Sequence, residues 1–201
     1  MSSDSPKSVV RRELRAKLAA MSQADRLAKS RAIYALLTQT AEWRASRCIM
    51  LYLSTPSEVD TSALALRAWQ EGKTVVVPKV SWDQRRMLPV EISSLSNDTM
   101  TTTGPGILEP IAGKPVPVSL IDLVIVPGLG FSQTGYRIGR GMGFYDRFLA
   151  QDGFLGLSCG VAFDEQLLPA LPVLEHDIPL SMLVTDRAVW RFETGCCVEP
   201  G

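Results

Sequence analysis

The sequence predicts an α/β domain whose central sheet is covered on both faces. Two observations carry that reading. Several short runs are almost continuously apolar, as strands buried on both sides must be, and amphipathic helical stretches alternate with them. In chain order, Ser5-Pro6 reads as a helix start, with Val10, Leu14 and Leu18 recurring at four-residue spacing behind it. Ser22-x-x-Asp25 has nearly the form of a capping box and opens a second helix, on which Leu27, Tyr34 and Leu37 are expected to share one face. Cys48 to Leu53 (CIMLYL) reads as a buried strand. Thr61 to Glu71 reads as a helix closed by Gly72, followed by the strand-like Thr74 to Val77. Met87 to Ile92 is a short strand candidate. The stretch from Ser93 to Pro117, rich in Ser, Thr, Gly and Pro, is expected to be irregular and to serve as a mobile cover for a substrate. Leu120 to Val126 (LIDLVIV) is the clearest buried strand. A loop from Pro127 to about Gly141 follows, then a helix over Gly143 to Ala150, then strands at Leu155 to Phe163 and Met182 to Thr185. No repeat or low-complexity linker interrupts this order, so the expectation is a single domain over 1–201, with a core of about 7–191 and a short flexible tail at 192–201.

Composition narrows the function classes. A chain of 201 residues, 46% hydrophobic and 21% charged, can bury roughly 70% of its unfolded surface without disulfides or metals. Lys and Arg number 21, as do Asp and Glu, and this zero net charge argues against an electrostatic nucleic-acid or membrane binder. No apolar run reaches the roughly 18 residues of a membrane-crossing helix, and the first segment has no signal-peptide core. A single histidine and the absence of CxxC remove the common zinc motifs. Cys48 and Cys159 lie in apolar runs, and Cys196 and Cys197 are adjacent in the tail, a pattern that fits thiols in a reducing compartment. The expectation is a cytoplasmic protein.

In open α/β sheets ligands bind beyond the carboxyl ends of the strands. That rule selects two loops, Ser54 to Asp60 and Pro127 to Gly143. The second contains Gly139, Gly141 and Gly143 in alternation just before a helix. Glycines permit positive φ and close backbone approach, so successive N–H groups can cup an anion, and a helix N-terminus adds partial positive charge. Arg137 and Arg140 supply fork-shaped phosphate donors, and Asp146 an oxygen ligand for a magnesium ion bridging phosphates. The loop is neither a Walker A motif nor GxGxxG. Read alone, it is also compatible with a surface turn or a short arginine-glycine RNA tract. Lys7 and Arg11 share one helical face and can reach a triphosphate if that helix packs over the loop, although a solvated face is the plainer reading. Glu58 can accept hydrogen bonds from a heterocycle or simply favour a helix N-terminus. His176-Asp177 is either a further magnesium contact or a turn before Pro179. One competing motif is Gly156-Leu-Ser-Cys-Gly160, which matches a nucleophile elbow with Asp164 and His176 following. Its continuation is strand-like rather than helical, which makes Ser158 a small strand residue rather than a nucleophile.

Taken together, Lys7-x-x-x-Arg11, the VPGLGF run from Val126 to Phe131 and GYRIGRGMGFYDRFL from Gly135 to Leu149 resemble the 5-formyltetrahydrofolate cyclo-ligase family, also called methenyltetrahydrofolate synthetase. The resemblance runs from about Lys7 to Arg191, with GILEP (Gly106 to Pro110) and His176-Asp177 in matching order. It implies a three-layer α/β/α single domain with a mostly parallel central sheet. It also implies an ATP- and magnesium-dependent cyclisation of 5-formyltetrahydrofolate to 5,10-methenyltetrahydrofolate, releasing ADP and phosphate through a phosphorylated formyl (iminophosphate-type) intermediate. The implied partners are these small molecules, with no nucleic acid and no membrane, and the implied state is a monomer. Phosphoryl transfer mainly demands positioning and charge neutralisation, which suits a site of glycines, arginines and a metal carboxylate.

Carried over by position, Lys7, Arg11 and the loop residues Arg137, Ile138, Gly139, Arg140, Gly141, Met142, Gly143, Phe144 and Tyr145 would bind ATP. Leu53 and Glu58 would line the folate side together with Arg140, Gly141, Met142, Gly143 and Phe144. Arg140 and Tyr145 would be catalytic, and Asp146 and Asp177 would hold magnesium. Three positions depart from the family's usual pattern: Met142 stands where Gly or Lys is common, Phe144 where Tyr is common, and Ser181 where Asp is common. The alternatives from other classes are a non-catalytic ATP- or anion-binding protein and a serine hydrolase using Ser158.

Overall fold

The first helix begins where Ser5 accepts the Ser8 backbone N–H and Pro6 presets the first turn, giving α1, Pro6–Ala19. The structure, a computed structural model, describes residues 5–96, 99–103 and 107–192. Ser22 caps α2, Gln23–Thr38, by accepting the Asp25 N–H at 3.0 Å. The buried stripe of α2 is Ser30, Ile33 and Leu37, whereas Leu27 is 47% exposed. Of the expected face, Leu37 is buried and Tyr34 packs against the core, while Leu27 falls outside the strip that meets the sheet. A short helix the periodicity did not reveal, α3 (Ala41–Ala45), is capped by Thr40 and fully buries Trp43. Five residues are too few to display a helical period.

Strand β1, Cys48–Met50, is shorter than the CIMLYL run, since Leu51 to Leu53 lead out of the ladder toward a cleft. Helix α4, Ser62–Gln70, ends at Gly72 in the left-handed region (φ +71°). It feeds β2, Thr74–Ser81, which turns back as β3, Arg86–Glu91. The stretch expected to be irregular contains a hairpin, β4 (Met100–Thr103) with β5 (Ile107–Pro110), and an edge strand, β6 (Lys114–Pro115). Buried Glu109 anchors the hairpin by accepting the Val80 N–H at 3.2 Å. Leu120 lies in a 3-10 turn, and the strand proper is β7, Leu123–Val126.

The following loop is itself structured by β8 (Gly130–Ser132) and β9 (Arg137–Ile138). Helix α5 is Phe144–Leu149, with Gly143 as its N-cap. Strands β10 (Leu157–Ala162), β11 (Leu167–Leu168), β12 (Met182–Thr185) and β13 (Val189–Arg191) complete the chain. Apart from Phe192, the expected tail lies outside the described residues, as do Cys196 and Cys197. Cys48 and Cys159 are buried and unbridged.

The main sheet has the order β13-β12-β10-β7-β1-β2-β3-β6. Neighbours from β12 to β2 are parallel, and antiparallel strands close both edges. Alternate residues of each parallel strand face opposite layers. Ile49, Val75, Leu123, Cys159 and Val184 join the core beneath α1 to α4. Met50, Val76, Val124, Ala162 and Leu183 join a second core under α5. Double-sided burial is the reason the strands read as continuous apolar runs. The second layer is thinner than a helical layer implies: α5 has six residues, and the small sheet β11-β8-β9 supplies much of the remaining cover. No helix among the described residues is long and apolar enough to cross a membrane.

Candidate active site

Strand β1 connects to β2 on one side and has β7 on the other, so the strand order reverses between β1 and β7. Loops leaving neighbouring strands there diverge and open a crevice. A cleft of about 780 Å³ occupies this point, lined by the loops after β1 and β7, the start of α1, the β2–β3 turn and the segment preceding β12. Lys7, Arg11, Leu53, Glu58, all ten residues from Arg137 to Asp146, and Asp177 line it together.

The cationic wall is assembled by backbone. Buried Gln166 donates from Nε2 to the carbonyls of Gly128 (2.8 Å) and Leu129 (3.2 Å), fixing the turn after β7. Gly141 (φ +111°) and Gly143 (φ +64°) need the left-handed region, whereas Gly139 does not; its carbonyl instead accepts Arg11 Nε at 2.9 Å. Helix α5 begins at Phe144 and is too short to add a substantial dipole, so the expected electrostatic contribution of a helix end is replaced by side-chain cations.

Arg137 is almost fully buried. Its Nη2 lies 3.1 Å from Asp146 Oδ1, in ion-pair range, yet Nε and Nη2 have no hydrogen-bond partner. Its guanidinium also lies over the Tyr145 ring at 5.6 Å. Burial, with the nearby Glu58 charge, drives the Tyr145 phenol well above its ordinary pKa, outweighing the opposing Arg137 charge, so the hydroxyl stays protonated and able to donate. Arg140 spans the mouth: Nη2 donates to Glu58 Oε1 at 3.0 Å and to Thr55 Oγ1 at 3.3 Å. Glu58 Oε2 also accepts the Thr55 N–H at 2.9 Å.

A second wall is apolar and comes largely from residues that pattern reading missed: Pro78, Val80, Trp82, Met87 and Leu108. Trp82 meets Phe144 edge-on, with centroids 5.5 Å apart and planes at 87°. Its buried indole Nε1 has no partner. The one available signal was a tryptophan immediately after the strand-like run TVVVPKVS, which by itself does not distinguish a turn from a site.

The acidic groups bear on a metal. Lys7 Nζ holds Asp177 through both carboxylate oxygens, at 2.8 and 2.5 Å. Burial tends to raise the Asp177 pKa, but the Lys7 hydrogen bond, the Leu174 N–H and the charges of Lys7 and His176 bring it below its ordinary value. Asp146 Oδ1 accepts the Ile178 N–H at 3.4 Å besides facing Arg137. Among the described residues no group of three or more His, Cys, Asp or Glu can hold a metal by itself. Asp146 and Asp177 are cleft carboxylates that would offer oxygens to a magnesium ion once their pairing with Arg137 and Lys7 is exchanged, the remaining ligands being phosphate and water oxygens.

One expectation changes and one holds. Ser181 precedes β12 and exchanges hydrogen bonds with Ser158 (Ser181 N to Ser158 Oγ, 3.0 Å; Ser158 N to Ser181 Oγ, 3.2 Å). It therefore sits at the amino end of the sheet, and its departure from the family pattern does not touch the cleft. Ser158 is the second residue of a regular strand and is buried there, so no nucleophile elbow forms.

The 5-formyltetrahydrofolate cyclo-ligase family model matches residues 3–186. The mouse 5-formyltetrahydrofolate cyclo-ligase is 30% identical over 184 residues, covering 87% of this chain and 91% of the relative. The Escherichia coli K12 enzyme of that name is 34% identical over 148 residues, covering 72% and 80%. The solution structure of Aquifex aeolicus 5,10-methenyltetrahydrofolate synthetase superposes with a TM-score of 0.82 at 31% identity, covering 98% of this chain and 97% of that one. With a cleft of two unlike walls at the strand-order reversal and this agreement over nearly its whole length, the chain belongs to the 5-formyltetrahydrofolate cyclo-ligase family of enzymes.

Proposed function

We propose that the protein cyclises 5-formyltetrahydrofolate to 5,10-methenyltetrahydrofolate at the expense of ATP, with magnesium. The observation that carries this reading is a single cleft that has both a glycine-arginine wall and an apolar aromatic wall. One wall suits phosphates and the other a flat heterocycle. The unpartnered Arg137 and Trp82 donors support it, since a buried N–H without a partner is a site for a ligand acceptor. Lys7, Arg11 and the Arg137–Tyr145 loop bind ATP. Leu53, Glu58 and the face from Arg140 to Phe144 bind the folate, extended by Trp82 and Met87. The whole 1–201 chain acts as one monomeric domain in the cytoplasm.

The formyl oxygen takes the γ-phosphoryl group and ADP is the leaving group. N10 then attacks the formyl carbon, loses its proton, and phosphate departs with the original formyl oxygen. Arg140 neutralises charge developing on the transferred group, releasing Glu58 to accept from the folate. Tyr145, kept protonated, donates to the oxygen that gains charge. Asp146 and Asp177 would hold magnesium, which would supply phosphate charge neutralisation.

The test is an absorbance assay with purified protein, 5-formyltetrahydrofolate, ATP and magnesium at mildly acidic pH. Growth of the long-wavelength methenyl band, matched by ADP and absent without ATP or magnesium, is expected. Folded protein that binds ATP but forms no band overturns the catalytic reading. Light scattering after size exclusion should give the mass of one chain.

A further inference from the structure

We infer that Arg147, which no ligand contact requires, is a positioning residue that ties the glycine loop to the aromatic wall. The inference rests on the reading above for what the two walls bind. Arg147 Nη2 donates to the Met142 carbonyl at 2.7 Å, holding the loop just before its left-handed Gly143. Its Nε donates to the carbonyl of Arg85 at 2.9 Å, in the β2–β3 turn. Arg85 has φ +50° and is the non-glycine residue with positive φ among those described. Between these two anchors the guanidinium lies over the Phe144 ring at 5.4 Å, and Phe144 in turn abuts Trp82. A Cβ on Gly143 would come within 3.1 Å of Arg147 Nη1, so glycine serves both the backbone angle and the close approach of this side chain.

The planar fork explains why arginine fits. Two donors on one rigid plane reach carbonyls in different segments while the plane's face covers a ring. A lysine offers a single point donor and no flat face. Arg147 thus sets the plane of Phe144 and the width of the cleft between loop and turn, without touching the reacting atoms.

The test compares wild type, Arg147→Ala and Arg147→Lys by steady-state kinetics and near-UV circular dichroism. Arg147→Ala is expected to raise the folate KM about tenfold with kcat changed less than about threefold, the pattern of lost binding geometry rather than lost chemistry. Lysine should not restore it. The near-UV signal of the Trp82–Phe144 pair should weaken in both variants while the far-UV spectrum stays the same. In a double-mutant cycle with Phe144→Leu, the KM effects should fall short of additive. A folate KM within twofold of wild type, rescue by lysine, an unchanged near-UV signal or strict additivity would each overturn the inference. Should the alanine variant not fold, Arg147→Gln takes its place in the cycle. If wild type itself forms no methenyl band, the functional reading fails separately, and the near-UV comparison still decides whether Arg147 orders the wall.

Discussion

At the amino ends of the parallel strands, side-chain groups are committed to backbone. Asp122 Oδ2 accepts the N–H groups of Arg47 (2.8 Å) and Cys48 (2.9 Å), and its carbonyl accepts Leu157 N–H at 2.8 Å. Lys73 Nζ donates to the carbonyls of Trp43 (3.0 Å) and Ser46 (2.7 Å), and Ser158 and Ser181 satisfy each other. Beyond the carboxyl ends lie Arg137, on β9 of the small sheet, and Trp82, in the β2–β3 turn, which own three of the five buried side-chain nitrogens without a partner among the described residues. The ion pairs there, Lys7–Asp177 and Arg140–Glu58, join separate segments across a gap. Side chains bonded to backbone at one end fix the strand ladder, while an end with spare donors and exchangeable pairs keeps capacity for a ligand.

The largest expected effect that sharpens this contrast is Arg140→Ala. It should lower kcat/KM at least about 100-fold through lost transition-state charge stabilisation. Because Arg140 is half exposed, its pair with Glu58 adds little to stability, and Tm should not move. Near-normal kcat/KM would remove Arg140 from the site.

Asp122→Ala should do the reverse. Leaving two N–H groups without their acceptor should cost about 2 kcal/mol in urea unfolding, with kcat unchanged at temperatures where the variant is folded. A loss of kcat larger than the loss of folded fraction would show that the two ends are not separable.

Asp177 gives a smaller, pH-dependent effect. Its carboxyl is depressed in the fold, so the stability it contributes is present above its unfolded pKa of about 4 and is lost as pH falls through the folded value. The advantage of wild type over Asp177→Asn in urea melts should be level from neutral pH to about pH 5 and should shrink below about pH 4. A gap that stays level on acidification would mean the Lys7 pairing contributes nothing.

The smallest effect belongs to Ser158→Ala, which should leave ring closure within about twofold, as expected where the lost strand hydroxyl has no part in the chemistry. Loss of turnover there would revive the serine as a reacting group.

The α/β class, the helix starts at Ser5 and Ser22, the stop at Gly72 and the apolar strands were legible because each depends on local chemistry: a cap, a left-handed glycine, or a run buried on both faces. The two loops that line the cleft were legible for a related reason, since Ser54 to Asp60 and Pro127 to Gly143 follow apolar strands. The hairpin around Glu109, the short strands β8, β9 and β11, and the exposure of Leu27 on α2 were not, because pairing and burial there depend on distant residues. Gln166 bracing Gly128 across 38 positions has no local signature.

The residues of the glycine-arginine wall lie close together in the chain, from Arg137 to Asp146, so the sequence by itself determined their type and order. Only the tertiary structure decided what they face. It brought Lys7 and Asp177 together from 170 positions apart and laid Trp82 against Phe144. It also sent Ser181 to the opposite end of the sheet from the cleft. The physical reason is that a local run encodes backbone angles and side-chain chemistry, whereas a cleft is the space left between loops whose separation is set by the packing of the whole sheet.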